Sequence, residues 1–139
     1  WDPTARAVLV GFDLGTDPGT LARAAMEAIA HQITDVVDAA EAAGPVEAIL
    51  ADGAPAADDF LMQLQADIGG RTVRRPRYSG LSARGAAQLA ADALGGGFEP
   101  VESDTLEPRG DNAAARSRWA SALTLARNAA ATGGGAKQV

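Results

Sequence analysis

The sequence predicts an α/β domain, with few strands and helices packed against them, on three observations. Short apolar runs at 7–12 and 46–51, and a more polar one at 72–75, alternate with longer stretches whose apolar residues recur at helical spacing. Glycine or proline stands at the junctions, at Asp17-Pro18, Gly44-Pro45, Gly69-Gly70, Pro76 and Gly95-Gly96-Gly97. A chain of 139 residues has the length of one domain and can bury a core.

The run from Ala7 to Phe12 reads as a buried strand. Asp17 and Pro18 supply an N-cap and a first-turn proline for a helix. That helix carries Leu21, Ala25, Ile29, Ile33, Val36 and Ala40 as one apolar stripe and ends at Gly44-Pro45. Val46–Ala51 is the next strand. A helix from about Asp58 to Ile68 is expected to bury Phe60, Leu61, Leu64 and Ile68, and Gly69-Gly70 stops it. Thr72–Arg75 forms a third strand closed by Pro76. Ser82 is the expected cap of a helix running to Leu94, and residues 98–108 read as a loop rich in proline and acids. A last helix, from about Asp111 to Ala131, sets Trp119, Ala122, Leu123 and Ala126 near one face, and residues 132–139 read as a flexible tail.

Composition removes several classes of function. Cysteine is absent, so there is neither a disulfide framework nor a thiolate metal site, and a single histidine, His31, rules out a multi-histidine metal cluster. A net charge of −6 disfavours nonspecific nucleic-acid or membrane-surface binding. No apolar run has the length of a membrane span, and no signal peptide is visible, so a cytoplasmic location is expected. The start at Trp1 rather than Met is what a fragment or processed product has.

The most informative stretch runs from Ala51 to Ile68: a strand end, a turn of small residues, then a helix opening directly from the turn. Glycine and alanine let a flat or charged ligand approach the backbone. The helix start aims unpaired N–H groups and a positive dipole end at the same place. Strand–turn–helix joints are common in α/β proteins, and most only turn the chain.

The residues of this stretch resemble the Asp-Gly-Gly-Ala…Asn-Asn-Phe-Leu-Met-Gln…Asp-Ile block in the C-terminal domain of the glycerol-kinase-like members of the FGGY carbohydrate kinase family. Trp1 to Arg6 resembles that group's Trp-Asp-Pro-x-Ala-Arg segment. Gly11, Leu21, Ala24, Glu27, Ile29 and Ala30 are similar to its second signature, and Gln32, Asp35 and Val36 to the continuation. Val73–Pro76, Ser82–Ala87 and the Trp-x-x-Ala of Trp119–Ala122 extend the likeness in order to about residue 127. The resemblance implies part of an actin-like, ribonuclease-H-like ATPase domain over residues 1–131, followed by the tail. It implies a parent enzyme that transfers the γ-phosphoryl group of ATP, with Mg2+, to glycerol or a related polyol. A pentulose (xylulose-type) kinase is the alternative, and a degenerate noncatalytic kinase-like domain is another. The implied partner is an N-terminal kinase domain that carries the catalytic base, so the chain alone is expected to be inactive. Its sheet edges and uncovered apolar surface make homo-oligomerisation a further expectation.

The resemblance also implies a nucleotide-contacting set, with no catalytic or metal-binding residue in this chain. The ATP contacts fall on Ala54, Pro55 and Asp58, with Gly53 beside them. All three depart from the family pattern. Ala54 adds a methyl group, Pro55 lacks an N–H that could donate to phosphate, and Asp58 exchanges an amide for a carboxylate. Asp58 or Asp59 also suits a helix cap. Arg84 stands where the family has leucine and reads as a nucleotide contact or a solvated arginine. His31 stands where the family has an aromatic and reads as a partly buried structural histidine. Glu27 reads as a structural position that hydrogen-bonds across the domain. Asp52 reads as a turn-fixing carboxylate, with a magnesium-bound water as its functional alternative. Arg71, Arg74, Arg75 and Arg77 read as a solvated strand edge.

Overall fold

The computed structural model describes residues 7–78 and 80–133. The segment Trp1–Arg6 and tail residues 134–139 lie outside them. At the centre is a three-stranded sheet of order β1-β2-β3, made of β1 (Ala48–Leu50), β2 (Thr72–Pro76) and β3 (Ser103–Leu106). β1 runs parallel to β2, with Ile49 opposite Val73, and β3 runs antiparallel, with Val73 opposite Leu106 and Pro76 opposite Ser103. Pro76 has no N–H to give and lies past the end of β1, where the ladder asks for none on that side.

Four helices accompany the sheet: α1 (Pro18–Ala40), α2 (Asp59–Gly69), α3 (Leu81–Ala93) and α4 (Ala113–Gly133). Asp17 caps α1 as its sequence predicts. It accepts from the backbone N–H and the hydroxyl of Thr20, both at 2.7 Å, and these bonds hold its carboxyl below its ordinary pKa. α2 is the wedge of the fold. Leu61, Met62 and Ala66 pack with Val73 and Ala56 against the sheet, while Leu64 and Ile68 pack on Ala30 of α1. Met26 of α1 touches both groups. Each such Leu, Ile or Met side chain removed from water contributes roughly 1.5–3 kcal/mol before entropy is counted.

Six expectations change. Residues 7–12 form no strand, and Val8, Leu9, Val10 and Phe12 are exposed. An apolar run supplies propensity, but a strand also needs a partner ladder, and none lies beside it among the described residues. The predicted stripe of α1 is not its buried face: Leu21, Ile29, Ile33 and Val36 are exposed, while Ala30, His31 and Thr34 are buried. Small Ala30 and Thr34 let α1 approach α2 closely, where Gln65 Nε2 donates to Thr34 Oγ1 at 3.2 Å and a Cβ on Gly69 would stand 3.5 Å from the same oxygen. Phe60 is exposed, its ring under the Arg23 guanidinium at 5.8 Å. Ser82 lies inside α3, whose N-cap is Gly80 at φ +93°. The loop predicted at 98–108 contains β3, and α4 continues two residues past Ala131 to Gly133.

Candidate functional site

The glycine turn sits at the carboxyl end of β1, where open α/β sheets place their ligands. Gly53 takes φ +90°, so the left-handed conformation falls on the one residue of the turn without a Cβ. Ala54 carries no such strain, since among the described residues only glycines have positive φ. Residues Ala54–Ala57 make a 3-10 turn, with Ala56 N–H donating to Gly53 O at 3.0 Å and Asp58 N–H to Pro55 O at 3.2 Å. Asp58 then caps α2, its Oδ1 accepting Leu61 N–H at 2.9 Å. That contact spends the carboxylate on the helix start and removes one of the first-turn donors from a ligand.

Beside the turn lies a pocket of about 110 Å3, lined by Asp52, Gly53, Ala56, Ala57 and, from the end of β2 onward, Arg75 to Tyr78. Arg75 ties the two sides together. Its Nη1 donates to Ala56 O (3.2 Å) and Asp59 Oδ1 (2.6 Å), and its Nη2 donates to Asp104 Oδ2 on β3 (3.3 Å). Arg77 Nε meets Asp104 Oδ1 at 2.6 Å, and its Nη1 meets Glu102 at 3.3 Å. These contacts hold the Asp104 carboxyl below its ordinary range, through Arg77 first and Arg75 second, and push both guanidinium groups further up. Of the predicted solvated arginine edge, Arg74 is exposed as expected, whereas Arg75 and Arg77 are ion-paired and Arg71 is likewise bonded to Asp38 and Glu41. Arginines already matched to carboxylates offer little attraction to a phosphate.

Arg84 lies between two aromatic rings, 5.7 Å from the Tyr78 centroid and 5.0 Å from that of Phe98, and its Nη2 bonds the Glu99 carbonyl. Glu27 bonds Arg23 one turn away on its own helix, not a partner across the domain. Asp52 lines the pocket and is exposed. The turn beside it is closed by backbone bonds that the Gly53 and Pro55 carbonyls accept from Ala56 and Asp58 N–H. His31 is buried, 6% exposed, away from this pocket. The structure thus gathers Asp52, Gly53, Ala56 and Ala57 on the pocket with Arg75 to Tyr78, while Ala54, Pro55 and Asp58 do not line it and Glu27 and His31 lie elsewhere. Asp104, the carboxylate that pairs with Arg75 and Arg77 beside the pocket, is the residue that sequence reading passes over. Tyr78 is the lone aromatic among the clustered arginines, while nothing in a Ser-Asp-Thr-Leu segment marks Asp104 as their partner.

A glycine turn at the carboxyl end of a parallel strand pair, with a helix opening from it, has the layout of an α/β ligand-binding domain. The fold is that of part of an actin-like ATPase domain. It superposes on ligand-bound xylulose kinase from Lactobacillus acidophilus with a TM-score of 0.74, at 26% identity, over 96% of this chain and 29% of that one. The chain belongs to the FGGY family of carbohydrate kinases, whose C-terminal domain model matches residues 1–94. It is 47% identical over 97 residues to a glycerol kinase of Alkalilimnicola ehrlichii, covering 68% of this chain and 20% of that protein. It is 39% identical over 135 residues to a glycerol kinase of Rhodopirellula baltica, covering 88% of this chain and 25% of the relative. The chain therefore spans a fifth to a quarter of the length of these relatives. Among the described residues no helix is long and apolar enough to cross a membrane, and no three His, Cys, Asp or Glu side chains are grouped to hold a metal ion.

Proposed function

We propose that this chain supplies the nucleotide-side wall of an ATP-dependent carbohydrate kinase, with Gly53, Ala54, Pro55 and Asp58 against the nucleotide and residues 1–131 acting as part of its C-terminal domain. The reaction is transfer of the ATP γ-phosphoryl group to a hydroxyl of glycerol or a related polyol. One observation carries the reading: in a member of a carbohydrate kinase family, the Gly53 turn opens at the carboxyl end of β1 beside a pocket that Tyr78 also lines. The rim suits a flat base or a ribose better than a metal ion, so Mg2+ enters on the triphosphate. The likeness to two glycerol kinases supports glycerol, and the fold shared with a xylulose kinase keeps a pentulose as the alternative acceptor.

Phosphoryl transfer depends on positioning and charge neutralisation from both sides of the substrate. This chain offers one side, and an N-terminal kinase domain is the partner that brings the base. The expected outcome is no acceptor-dependent ADP release from the chain alone, and glycerol-dependent release when it is joined to such a domain. Acceptor-dependent turnover by the 139 residues alone would overturn this division of labour. For the site, MgADP is expected to shift the amide resonances of residues 51–58, and Gly53→Val to remove those shifts by straining φ. Shifts that bypass the turn would place the nucleotide elsewhere.

A noncatalytic role is favoured by one feature, the engagement of Asp58 by Leu61 N–H next to a proline that has no N–H. Restoring Ala54→Gly and Asp58→Asn separates the two readings: a gain in nucleotide affinity marks a site weakened at these positions. Equal affinity marks a turn that already serves.

A further inference from the structure

The strongest cluster of chemistry outside this site joins α1 to α4. His31 and Trp119 stack with centroids 5.0 Å apart and planes within 4°. Trp119 Nε1 donates to Asp35 Oδ2 at 2.7 Å. Arg116 Nη2 donates to Asp35 Oδ1 at 2.6 Å and to Asp38 Oδ2 at 3.1 Å. The remaining arm of that guanidinium, Nη1, stands 3.2 Å from His31 Nδ1 and 3.4 Å from the His31 carbonyl.

This geometry fixes the state of the imidazole. A guanidinium has only donors, so Nδ1 must accept, and the ring must be neutral with its proton on Nε2. A proton on Nδ1 would set two donors face to face and place two like charges side by side in a site where His31 is 6% exposed. We propose that His31 is a pH-sensitive latch for α4, which docks on α1 while the imidazole is neutral and is released when Nδ1 is protonated.

The charged groups acting on the ring are Arg116 and Arg118 from α4 and Glu27 and Asp35 from α1. The two carboxylates favour an imidazolium, as does the Trp119 face. Both, however, are already engaged, Glu27 by Arg23 and Asp35 by Arg116 and Trp119. Burial, followed by Arg116, wins and holds His31 below its ordinary 6.5. The undocked state therefore binds more protons than the docked one. Docking is complete above the ordinary histidine value and weakens as pH falls below it, until the pH passes the lowered pKa. Each unit by which docking lowers the pKa permits up to about a tenfold rise in the opened fraction of α4.

His31 is the only histidine in the chain, so its imidazole resonance can be titrated in the full 139 residues without ambiguity. The expected midpoint lies below 6.5, with amide exchange in residues 113–129 rising over the same interval once corrected for intrinsic rates. In His31→Phe, which keeps a ring against Trp119, exchange of α4 is expected to lose that pH dependence while α2 is unchanged. A His31 midpoint at or above 6.5 would overturn the latch. So would the same pH-dependent opening of α4 in His31→Phe, or a normal low-pH titration of His31 with α4 exchange flat throughout.

Discussion

Two helices of similar length and similar amphipathic pattern, α2 and α3, meet opposite fates. α2 buries seven residues, Leu61, Met62, Leu64, Gln65, Ala66, Ile68 and Gly69, between the sheet and α1. α3 buries none, and its Leu89 and the neighbouring Leu94 stand in the open at 74% and 89% exposure. Periodicity announces that a helix owns an apolar face, but says nothing of whether another element covers it. α2 is covered because both of its flanks carry partners, whereas α3 is held at its start by Arg84 between Tyr78 and Phe98.

The comparison can be broken most forcefully at the wedge. Met62→Ala removes a side chain packed against Val73 and Ala56 and is expected to cost about 2–5 kcal/mol, read from the shift in chemical denaturation midpoint. The cap comes next: Asp58→Ala leaves Leu61 N–H without its acceptor and is expected to cost about 1 kcal/mol in the same measurement. Asp67 at the far end of α2 gives a smaller, pH-dependent effect. Burial alone would raise its pKa, but bonds from Arg109 and Gln63 outweigh that and leave it below the ordinary 3.8. A carboxyl depressed in the fold adds stability that is fully present above 3.8 and disappears as pH falls through its lowered value. Asp67→Asn is accordingly expected to flatten the acid limb of the stability curve and leave pH 7 and above parallel to the unmodified chain. Smallest of all, Leu89→Ala on α3 is expected to stay within about 0.5 kcal/mol. A loss as large as that at Met62 would show that α3 is covered in solution.

Legibility in the sequence followed the range of the interaction. The caps at Asp17 and Asp58, the stop at Gly69-Gly70 and the turn at Gly53 are local, and residue type alone points to them. The buried face of α1 is not local. Leu21, Ile29, Ile33 and Val36 outweigh Ala30 and Thr34 on any hydropathy scale, yet close approach to Gly69 and Gln65 decides for the smaller pair. β3 escaped because Ser103-Asp-Thr-Leu106 has weak strand character and gains its place from Asp104 pairing with Arg75 and Arg77. At the candidate site, the turn and its cap could be read, while the opposite rim could not. The stack of His31 on Trp119 joins residues too far apart in the chain for any motif to announce.

The pinning of β3 has a consequence for chain length. Glu107 accepts from Thr72 Oγ1 at 2.7 Å, Gln63 Nε2 bonds the Glu107 carbonyl at 2.9 Å, and Arg109 grips Asp67. At the other end Arg77 N–H donates to Glu102 O at 2.8 Å. Everything between these clamps, α3 included, is a closed excursion whose ends are held independently of what it contains. Doubling such a segment adds only about 0.6 kcal/mol of closure entropy. The stretch from residue 80 to residue 101 is thus where this domain can accept insertions or grafted sequence while its sheet, its wedge helix and the Gly53 turn keep their places.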